Sequence, residues 1–369
     1  MNKRDFIKCT FATVTGLAVC PAAFTSMKDG LSEDKHLRLA MFQDETARGI
    51  MCNICPNECV LKEGELSDCR NRIVKDNKLH TMAFGNPCAV NIDPVEKKPL
   101  YHFHPSSMAF SIATAGCNLA CLNCQNWTIS QTSPEKTRNI DLMPEYVVSM
   151  AKQNECLSIA YTYSEPTTFY EYVYETARLA HESGIKNILV SNGYINEEPL
   201  LKLAQYLDAA NIDLKSFNDK TYLKLTGGKM QPVLDTLTRL REGNVWLEIT
   251  NLIVPGWTDN IDEIKGMCSW LYESGFSDTP VHFSRFHPQY KLEQLPPTPV
   301  EILNRAHSIA TDSGLKYVYI GNVPGTHASD TYCDECGNRV IERGGYSIKN
   351  NSIKNNKCSF CGNLISGVW

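Results

Sequence analysis

The chain has 369 residues, of which 43% are hydrophobic and 21% charged, and its formal net charge is −5. This length allows one large α/β domain with appendages, or two domains. Acidic and basic residues are mixed along the chain, so the charge pattern gives no case for a nucleic-acid partner. No apolar run beyond the N-terminus is long enough to span a bilayer, and we expect no transmembrane segment in the mature chain.

Residues 1–26 have the pattern of an export signal. Lys3 and Arg4 precede a moderately apolar run that ends in small residues. The segment KRDFIK resembles a twin-arginine signal with lysine in place of the first arginine, and that pathway carries folded proteins. The alternative is a cytoplasmic protein whose translation starts at Met27 or Met41. We therefore predict export, with a cytoplasmic location if the start site is misassigned.

Strand-like runs alternate with amphipathic stretches between residues 109 and 321. The predicted strands are 109–114, 158–163, 187–192, 211–215, 246–254, 281–286 and 317–321. The predicted helices are 167–183, 197–207, 229–242, 260–274 and 298–313. Strands that alternate with helices indicate right-handed βαβ units and a parallel sheet. Six or seven such units approach the eight of a closed barrel.

The predicted fold class is therefore α/β, a partial or complete parallel (β/α) barrel over residues 106–325. Two cysteine-rich extensions flank it, residues 40–105 and residues 326–369. Neither extension has enough apolar residues to form a convincing core of its own. We expect metal ligation to hold each of them together.

Cysteine is abundant, and eleven of the sixteen cysteines fall into three clusters. A long chain with many core residues is unlike a small secreted domain stapled by disulfides. Tight C-x2-C and C-x3-C spacings instead favour metal or iron–sulfur ligation. The clusters are Cys52, Cys55, Cys59 and Cys69; Cys117, Cys121 and Cys124; and Cys333, Cys336, Cys358 and Cys361.

The middle cluster, in GCNLACLNCQNW (116–127), has only three cysteines, spaced C-x3-C-x2-C. It follows the first predicted barrel strand, at the end of the barrel where active sites gather. Three thiolates can hold three irons of a [4Fe–4S] cluster and leave the fourth open to an outside ligand. A zinc site completed by an outside histidine is the alternative, and the spacing alone leaves both open.

This loop resembles the signature of the radical SAM enzymes, in which S-adenosylmethionine (SAM) is the ligand of the fourth iron. YSEPT (163–167), SNG (191–193), DLK (213–215), EITNLIVPGWTD (248–259) and RFHP (285–288) continue the likeness, which extends to glycyl-radical-enzyme activases. The resemblance implies that Glu165 binds the methionine ammonium, that Asp213 and Lys215 place a cation and the SAM carboxylate, and that His287 lies near the ribose or adenine.

The positions of the polar residues support the same site independently. Six of them fall at carboxyl ends of predicted strands, on the face of the cysteine loop: Glu165, Ser191, Asn192, Asp213, Lys215 and His287. A zwitterionic, sulfonium-bearing ligand needs both a carboxylate and a cation around it. One departure from the family pattern is Asn123, where an aromatic residue is usual. Either Trp127 replaces that residue, or other groups hold adenine.

The two outer cysteine clusters have separate interpretations. The C-terminal set forms two C-x2-C knuckles, which is typical of structural zinc. The N-terminal set, C-x2-C-x3-C-x9-C, could be an auxiliary iron–sulfur cluster that relays electrons or another zinc staple. The spacing also allows the two outer sets to share sites.

The segment DPVEKKPLYHFHP (93–105) narrows the resemblance. Together with the N-terminal cysteines, the cysteine loop and YIGNVPG (319–325), it is similar to the radical SAM enzyme of AmmeMemoRadiSam systems, which resembles pyruvate formate-lyase activating enzyme. The likeness covers residues 40–369 and implies possible AMMECR- and Memo-type partner proteins. His102 and His104 lie within the segment, where packing is a commoner role than ligation.

The sequence thus predicts an enzyme that reductively cleaves SAM to methionine and a 5′-deoxyadenosyl radical, which abstracts hydrogen from an unidentified substrate. A one-electron reductant such as a flavodoxin or ferredoxin would be a partner. The first alternative is an activase that generates a glycyl radical on a partner protein. Others are an iron–sulfur electron-transfer or redox-sensing protein without SAM chemistry, and a zinc-ribbon scaffold.

Overall fold

Short antiparallel strands form the N-terminal extension. The structure, a computed structural model, describes residues 35–369, so the predicted export signal lies outside the described residues. Six strands build two three-stranded sheets, with strand orders β1-β6-β5 and β2-β3-β4. The strands are β1 (Arg38–Leu39), β2 (Gln43–Thr46), β3 (Gly49–Cys52), β4 (Val60–Leu61), β5 (Arg72–Lys75) and β6 (Lys78–Thr81).

The central region contains one eight-stranded sheet. Its strands are β7 (Ala89–Pro94), β8 (Met108–Ala113), β9 (Ser158–Tyr161), β10 (Lys186–Ser191), β11 (Ala209–Asp213), β12 (Trp246–Ile253), β13 (Val281–Arg285) and β14 (Val318–Gly321). They lie side by side in chain order, and β7 alone is antiparallel to its neighbour. No pairing among the described residues joins β14 back to β7 or β8, so the barrel is partial.

Helices connect the strands. They are α1 (Trp127–Ser130), α2 (Pro144–Gln153), α3 (Tyr170–Glu182), α4 (Glu197–Ala204), α5 (Asp219–Thr226), α6 (Gln231–Glu242), α7 (Ile261–Glu273) and α8 (Val300–Asp312). Local sequence explains several ends. The Asn260 side chain accepts hydrogen bonds from Asp262 N and Glu263 N and so caps α7. Gly227 ends α5 in the left-handed region at φ 80°, which glycine adopts without steric cost.

The parallel strands of the central sheet are buried along most of their length. All four residues of β9 are buried, and so are five of the six residues of β8. The parallel strands of a barrel are buried by helices on the outside and by side chains on the inside, and are therefore rich in apolar residues throughout. The main core cluster includes Ile112, Ile159 and Ile249 and extends to the helix faces.

The C-terminal extension consists of short antiparallel strands beside the base of the barrel. A three-stranded sheet joins β15 (Thr331–Tyr332), β16 (Arg339–Gly344) and β17 (Ser347–Asn351), and a hairpin joins β18 (Ile353–Lys354) and β19 (Lys357–Cys358). A bridge between Phe103 and Val368 ties the last residues to the segment that precedes β8.

The predicted α/β fold class is confirmed, in its partial-barrel form. All seven predicted strands and all five predicted helices are present, with ends shifted by a few residues. Among the described residues, no helix is both long enough and apolar enough to cross a membrane. The sequence interpretation missed α2, α5 and the antiparallel edge strand β7. In β7, Asn91 and Asp93 interrupt the pattern, and both residue types are depleted in strands.

Candidate functional site

The three-cysteine loop lies at the carboxyl end of β8. Its thiols at Cys117, Cys121 and Cys124 are all free, and that of Cys121 is buried. The loop is held in place from one side by the end of α5, because Ala120 N donates to Thr226 O (2.8 Å) and Leu122 N donates to Leu225 O (2.9 Å). The structure thus presents the three thiols on a fixed loop.

Glu165 connects the ends of two successive strands, β9 and β10. Its Oε1 accepts hydrogen bonds from Thr167 N (3.0 Å), Thr167 Oγ1 (2.7 Å) and Ser191 Oγ (2.7 Å). Its Oε2 accepts one from Asn192 N (2.9 Å). Burial raises the pKa of Glu165, and the donated hydrogen bonds oppose this rise. Since Oε2 has only this one partner, it retains capacity to accept from a ligand cation.

Asn192 links this carboxylate to the cysteine loop. Its Nδ2 lies 3.7 Å from Cys117 Sγ and donates to Asn118 Oδ1 at 2.9 Å. Burial is the main cause that raises the pKa of Cys117, and the negative charge of Glu165 raises it further. Glu165, Asn192 and Cys117 therefore form one contiguous polar cluster.

Lys215 and Asp213 form the charged pair on the other side of the loop. Lys215 Nζ donates to Asp213 Oδ2 at 2.8 Å, and both side chains are partly exposed. Burial raises the pKa of Cys121 to about 11, and the positive charge of Lys215 counteracts that effect. Burial also raises the pKa of Cys124, and the same ammonium opposes part of that rise.

His287 and two aromatic rings lie at the outer rim. His287 is exposed and follows β13 by two residues. The rings of Trp127 and Tyr290 are stacked, with centroids 5.2 Å apart and an interplanar angle of 15°. The segment after β13 touches the cysteine loop, since Lys291 N donates to Leu122 O (3.1 Å). Trp127 is thus an exposed rim residue, 39% accessible, that stacks on another protein ring.

The donor set fits a [4Fe–4S] cluster with SAM. Burial raises the pKa of all three thiols, and a bound metal cluster would stabilise them as thiolates. Asn123 Oδ1 is buried and accepts no hydrogen bond from the described residues. A buried acceptor without a partner is unusual in a folded protein, and a ligand donor would satisfy it.

The C-terminal quartet forms a compact cluster that could hold a metal ion. Cys333, Cys336, Cys358 and Cys361 bring their sulfurs within 4.8 Å of one another. Cys333 Sγ is 3.7 Å from Cys361 Sγ, and Cys336 Sγ is 3.8 Å from Cys358 Sγ. The two knuckles therefore face each other, and the sites are not shared with the N-terminal cysteines.

Most of the segment 93–105 is buried at the base of the barrel, although Lys97 is exposed. Lys98 Nζ pairs with Asp93 Oδ2 at 2.6 Å, and the side chains of both are almost fully buried. His102 Nδ1 lies 2.6 Å from Ser366 O, and its Nε2 lies 2.5 Å from Tyr319 Oη. His102 therefore has a packing role, and its partners are protein groups rather than a metal.

Two residues of the site escaped the sequence interpretation. Asn118 is buried inside the cysteine loop and donates from Nδ2 to Tyr194 O at 2.7 Å. Asn126 Nδ2 donates to Tyr163 O at 2.7 Å and so fastens the loop to the end of β9. Both lie in GCNLACLNCQNW (116–127). A polar side chain beside such closely spaced cysteines is the sequence signal that could have indicated their role.

Comparison with known proteins gives a family and several relatives. Residues 111–271 match the model of the radical SAM superfamily. An uncharacterized protein of Methanocaldococcus jannaschii is 44% identical over 335 residues, which cover 90% of this chain and 100% of that protein. The pyruvate formate-lyase 1-activating enzyme of Escherichia coli is 26% identical over 218 residues, covering 55% of this chain and 89% of that enzyme.

Solved structures with related architecture are more distant. A domain of pyruvate-formate lyase-activating enzyme from Bacteroides vulgatus aligns with a TM-score of 0.39 and 16% identity, over 45% of this chain and 99% of that domain. SuiB of Streptococcus suis bound to S-adenosylmethionine aligns with a TM-score of 0.45 and 16% identity, over 63% of this chain and 53% of that protein.

Proposed function

Because this chain belongs to the radical SAM superfamily, we propose that Cys117, Cys121 and Cys124 hold a [4Fe–4S] cluster whose fourth iron binds SAM. When bound, the cluster supplies one electron that splits the sulfonium bond, which yields methionine and a 5′-deoxyadenosyl radical that abstracts hydrogen from a substrate. The protein is then an enzyme whose own side chains bind and orient SAM around that reaction.

One observation carries this proposal. Glu165 Oε2 accepts from Asn192 N at 2.9 Å, and the amide of the same Asn192 lies 3.7 Å from Cys117 Sγ. A carboxylate able to take the ammonium of an amino acid is therefore fixed beside the thiols. Lys215, on the other side of the loop, offers a cation for the SAM carboxylate.

The remaining predicted residues have supporting roles in this proposal. Ser191 Oγ donates to Glu165 and so orients the carboxylate. Asp213 holds Lys215 at 2.8 Å and so sets the position of its ammonium. His287 is exposed at the rim, where it would reach the ribose or adenine end of SAM. Asn123 Oδ1 would accept a hydrogen bond from bound SAM.

The test is Cys117→Ala in the anaerobically reconstituted full chain. We expect wild-type enzyme, reduced with dithionite in the presence of SAM, to form 5′-deoxyadenosine and methionine in equal amounts. The variant should lose both products, since two thiolates hold the cluster poorly. Circular dichroism should show that the fold is retained.

Cys156→Ala is the matched control, because Cys156 precedes β9 at the opposite end of the sheet from the loop. Its 5′-deoxyadenosine yield should equal that of the wild type. Full SAM cleavage by Cys117→Ala would overturn the proposal. Iron–sulfur absorbance in the wild type without any 5′-deoxyadenosine would instead support an electron-transfer protein.

The relatives favour one substrate class, a partner protein that receives a glycyl radical. The support comes from the names of two relatives, the pyruvate formate-lyase 1-activating enzyme of E. coli and a putative glycyl-radical enzyme activating enzyme of M. jannaschii. The resemblance of segment 93–105 to the radical SAM enzyme of AmmeMemoRadiSam systems instead implies a small-molecule substrate, or AMMECR- and Memo-type partners. In that segment the side chains of Asp93, Lys98 and His102 are buried and offer no surface to a partner.

Deuterium transfer distinguishes these substrates. Reduced enzyme with SAM would be incubated with extract of cells grown in deuterated medium, fractionated into proteins and small molecules. Under the activase proposal, deuterium enters 5′-deoxyadenosine from the protein fraction, and a glycyl-radical electron paramagnetic resonance (EPR) signal appears there. Deuterium transfer from the small-molecule fraction alone would contradict it.

A further inference from the structure

The N-terminal cysteine quartet surrounds a cavity next to the site already described. Cys52, Cys55, Cys59 and Cys69 all contribute to the wall of one small cavity. Arg72, Asn118 and Thr168 complete much of the lining. All four thiols are free, although Cys52 and Cys69 are buried. Four unpaired thiols that converge on one cavity are a ligand set.

The C-terminal quartet shows what a single-ion site looks like in this chain. Four thiolates placed tetrahedrally around zinc at about 2.3 Å have sulfurs about 3.8 Å apart. The distances of 3.7 Å and 3.8 Å between the sulfurs of that quartet agree with this geometry. That quartet therefore closes on a space the size of one ion.

The N-terminal sulfurs are spread more widely. Over residues 35–369, the C-terminal quartet is the only group in which three or more cysteine, histidine or carboxylate ligand atoms lie within 4.8 Å of one another. Cys52, Cys55, Cys59 and Cys69 therefore line their cavity without closing on a common centre. The three loop cysteines of the proposed SAM site are spread in the same way. Such spacing suits a multi-iron core, in which each thiolate binds a different iron.

We propose that Cys52, Cys55, Cys59 and Cys69 bind a second [4Fe–4S] cluster. Each of its irons would have a protein ligand, so no iron is open to SAM. Ser67 Oγ lies 3.1 Å from Cys69 Sγ and would donate a hydrogen bond to the thiolate. Arg72 adds a buried guanidinium to the wall, held by Glu171 through two bonds of 2.9 Å and 3.1 Å.

The second site adjoins the three-cysteine loop directly. Gly116, which precedes Cys117, has φ +96°, and a Cβ there would overlap the carbonyl oxygen of Cys69. Only glycine, which has no Cβ, permits so close an approach of the two backbones at position 116. Asn57 Nδ2 donates to Asn118 O at 2.9 Å, which is a second contact between the two cysteine segments. The two cysteine segments are therefore packed against each other.

Metal and sulfide content tests the proposal without reference to catalysis. The full chain would be reconstituted anaerobically with iron and sulfide, and its metals measured. We expect the wild type to hold about eight iron atoms and the triple variant Cys117→Ala/Cys121→Ala/Cys124→Ala about four. The triple variant should retain visible charge-transfer absorbance and, after dithionite reduction, an EPR signal.

Two further variants identify the site. In the triple variant, Ser67→Ala should lower the reduction potential of the remaining cluster, because hydrogen bonds to the sulfur ligands help set that potential. The pair Cys55→Ala/Cys59→Ala, with the loop cysteines intact, should keep about four iron atoms and the ability to cleave SAM. Cys156→Ala should retain about eight iron atoms.

A zinc staple gives the opposite result. The triple variant would then hold no iron and about two zinc ions, one in each outer quartet. That outcome, or a wild-type count of about four iron atoms, would overturn the second cluster. The iron content of the wild type distinguishes a second cluster from a zinc staple even if the triple variant fails to fold. A second cluster without SAM cleavage would leave this assignment intact and refute the proposed function.

Discussion

At the residue scale, the site combines satisfied and unsatisfied buried polar atoms. Glu165 accepts four hydrogen bonds from the ends of β9 and β10, so its position is fixed before any ligand binds. Asn123 Oδ1, by contrast, is buried without a partner. Pre-positioned groups reduce the ordering cost of binding, whereas an unpaired acceptor costs stability until a ligand arrives.

Asn123→Leu should therefore have opposite effects on stability and on SAM binding. Replacing the orphaned amide by an apolar side chain of similar size removes a desolvation penalty of about 1–3 kcal/mol, so the thermal midpoint should rise. Loss of the acceptor should weaken SAM binding by about tenfold, equal to about 1.4 kcal/mol. Differential scanning calorimetry and equilibrium dialysis measure the two effects. A lower midpoint with unchanged SAM affinity would show that the oxygen has no ligand role.

His102 makes the stability of the barrel base depend on pH. Burial lowers its pKa to about 4 in the folded chain, against an ordinary value of 6.5. Between these values the unfolded chain binds a proton that the folded chain does not, so folding stability falls as pH decreases from 6.5 to 4. The loss amounts to about 3 kcal/mol at the lower end of this range.

His102→Gln should reduce this pH dependence. The glutamine does not titrate, so the difference in unfolding free energy between wild type and variant should shrink by about 3 kcal/mol from pH 7 to pH 4. Denaturant titrations at several pH values measure it, and subtracting variant from wild type cancels the pH dependence of the metal sites. A constant difference across this range would mean that His102 titrates alike in the folded and unfolded chain, so that burial does not lower its pKa.

At the element scale, the parallel core was predictable and the connections between loops were not. Continuous apolar runs such as SIAYTY (158–163) reveal strands that are buried on both faces, by helices outside the barrel and by side chains within it. Because the carboxyl ends of parallel strands share one edge, the sequence also indicated that Glu165, Ser191 and Asp213 meet there. Short extension strands bury little and carry no such signal.

The contacts that position the N-terminal extension could not be predicted, because they join polar residues that are far apart in the sequence. Arg72 and Glu171 are 99 positions apart, yet they form a buried ion pair that fixes the N-terminal extension on α3. Asn71 similarly donates to Ala115 O at 2.6 Å, across 44 positions. Periodicity reports which face of an element is buried, but not which distant loop covers it. The cavity of the N-terminal cysteines depends on such contacts.

The C-terminal quartet should act as a stabilising element that is separate from the SAM site. Cys358→Ala removes a buried ligand, and a site of three thiolates binds zinc more weakly. We expect a lower thermal midpoint, loss of about one zinc per chain and an unchanged iron–sulfur spectrum. Metal analysis and calorimetry check this. If the spectrum changed as well, the quartet would be coupled to the cluster rather than independent of it.

At the scale of the whole molecule, Arg343 joins the C-terminal extension to the base of the barrel. From β16 its Nη2 donates to Tyr101 O at 2.8 Å, and its guanidinium lies 4.3 Å from the centroid of the Tyr101 ring. Its Nη1 donates to Ser329 O and Thr331 Oγ1 within the extension. Glu248 holds the other side of the same segment, where it accepts from Tyr101 N and His102 N.

Arg343→Ala should therefore loosen the extension without emptying its metal site. The substitution leaves the buried carbonyl oxygen of Tyr101 and the partly buried one of Ser329 without this donor, which costs about 1–3 kcal/mol. In hydrogen–deuterium exchange, β15 and β16 should exchange at least about tenfold faster, equal to about 1.4 kcal/mol, while zinc content stays constant. Strands β10 and β11 of the barrel should keep their protection.

Lys354→Ala is the control for Arg343→Ala, because Lys354 is exposed in β18 and its removal unpairs no buried group. Exchange in that variant should match the wild type. Equal acceleration in the barrel and the extension would mean that both unfold as one cooperative unit, with Arg343 stabilising the whole. Acceleration confined to the extension would establish that the cysteine quartet and its strands form a unit that opens separately, docked on the barrel through the buried guanidinium.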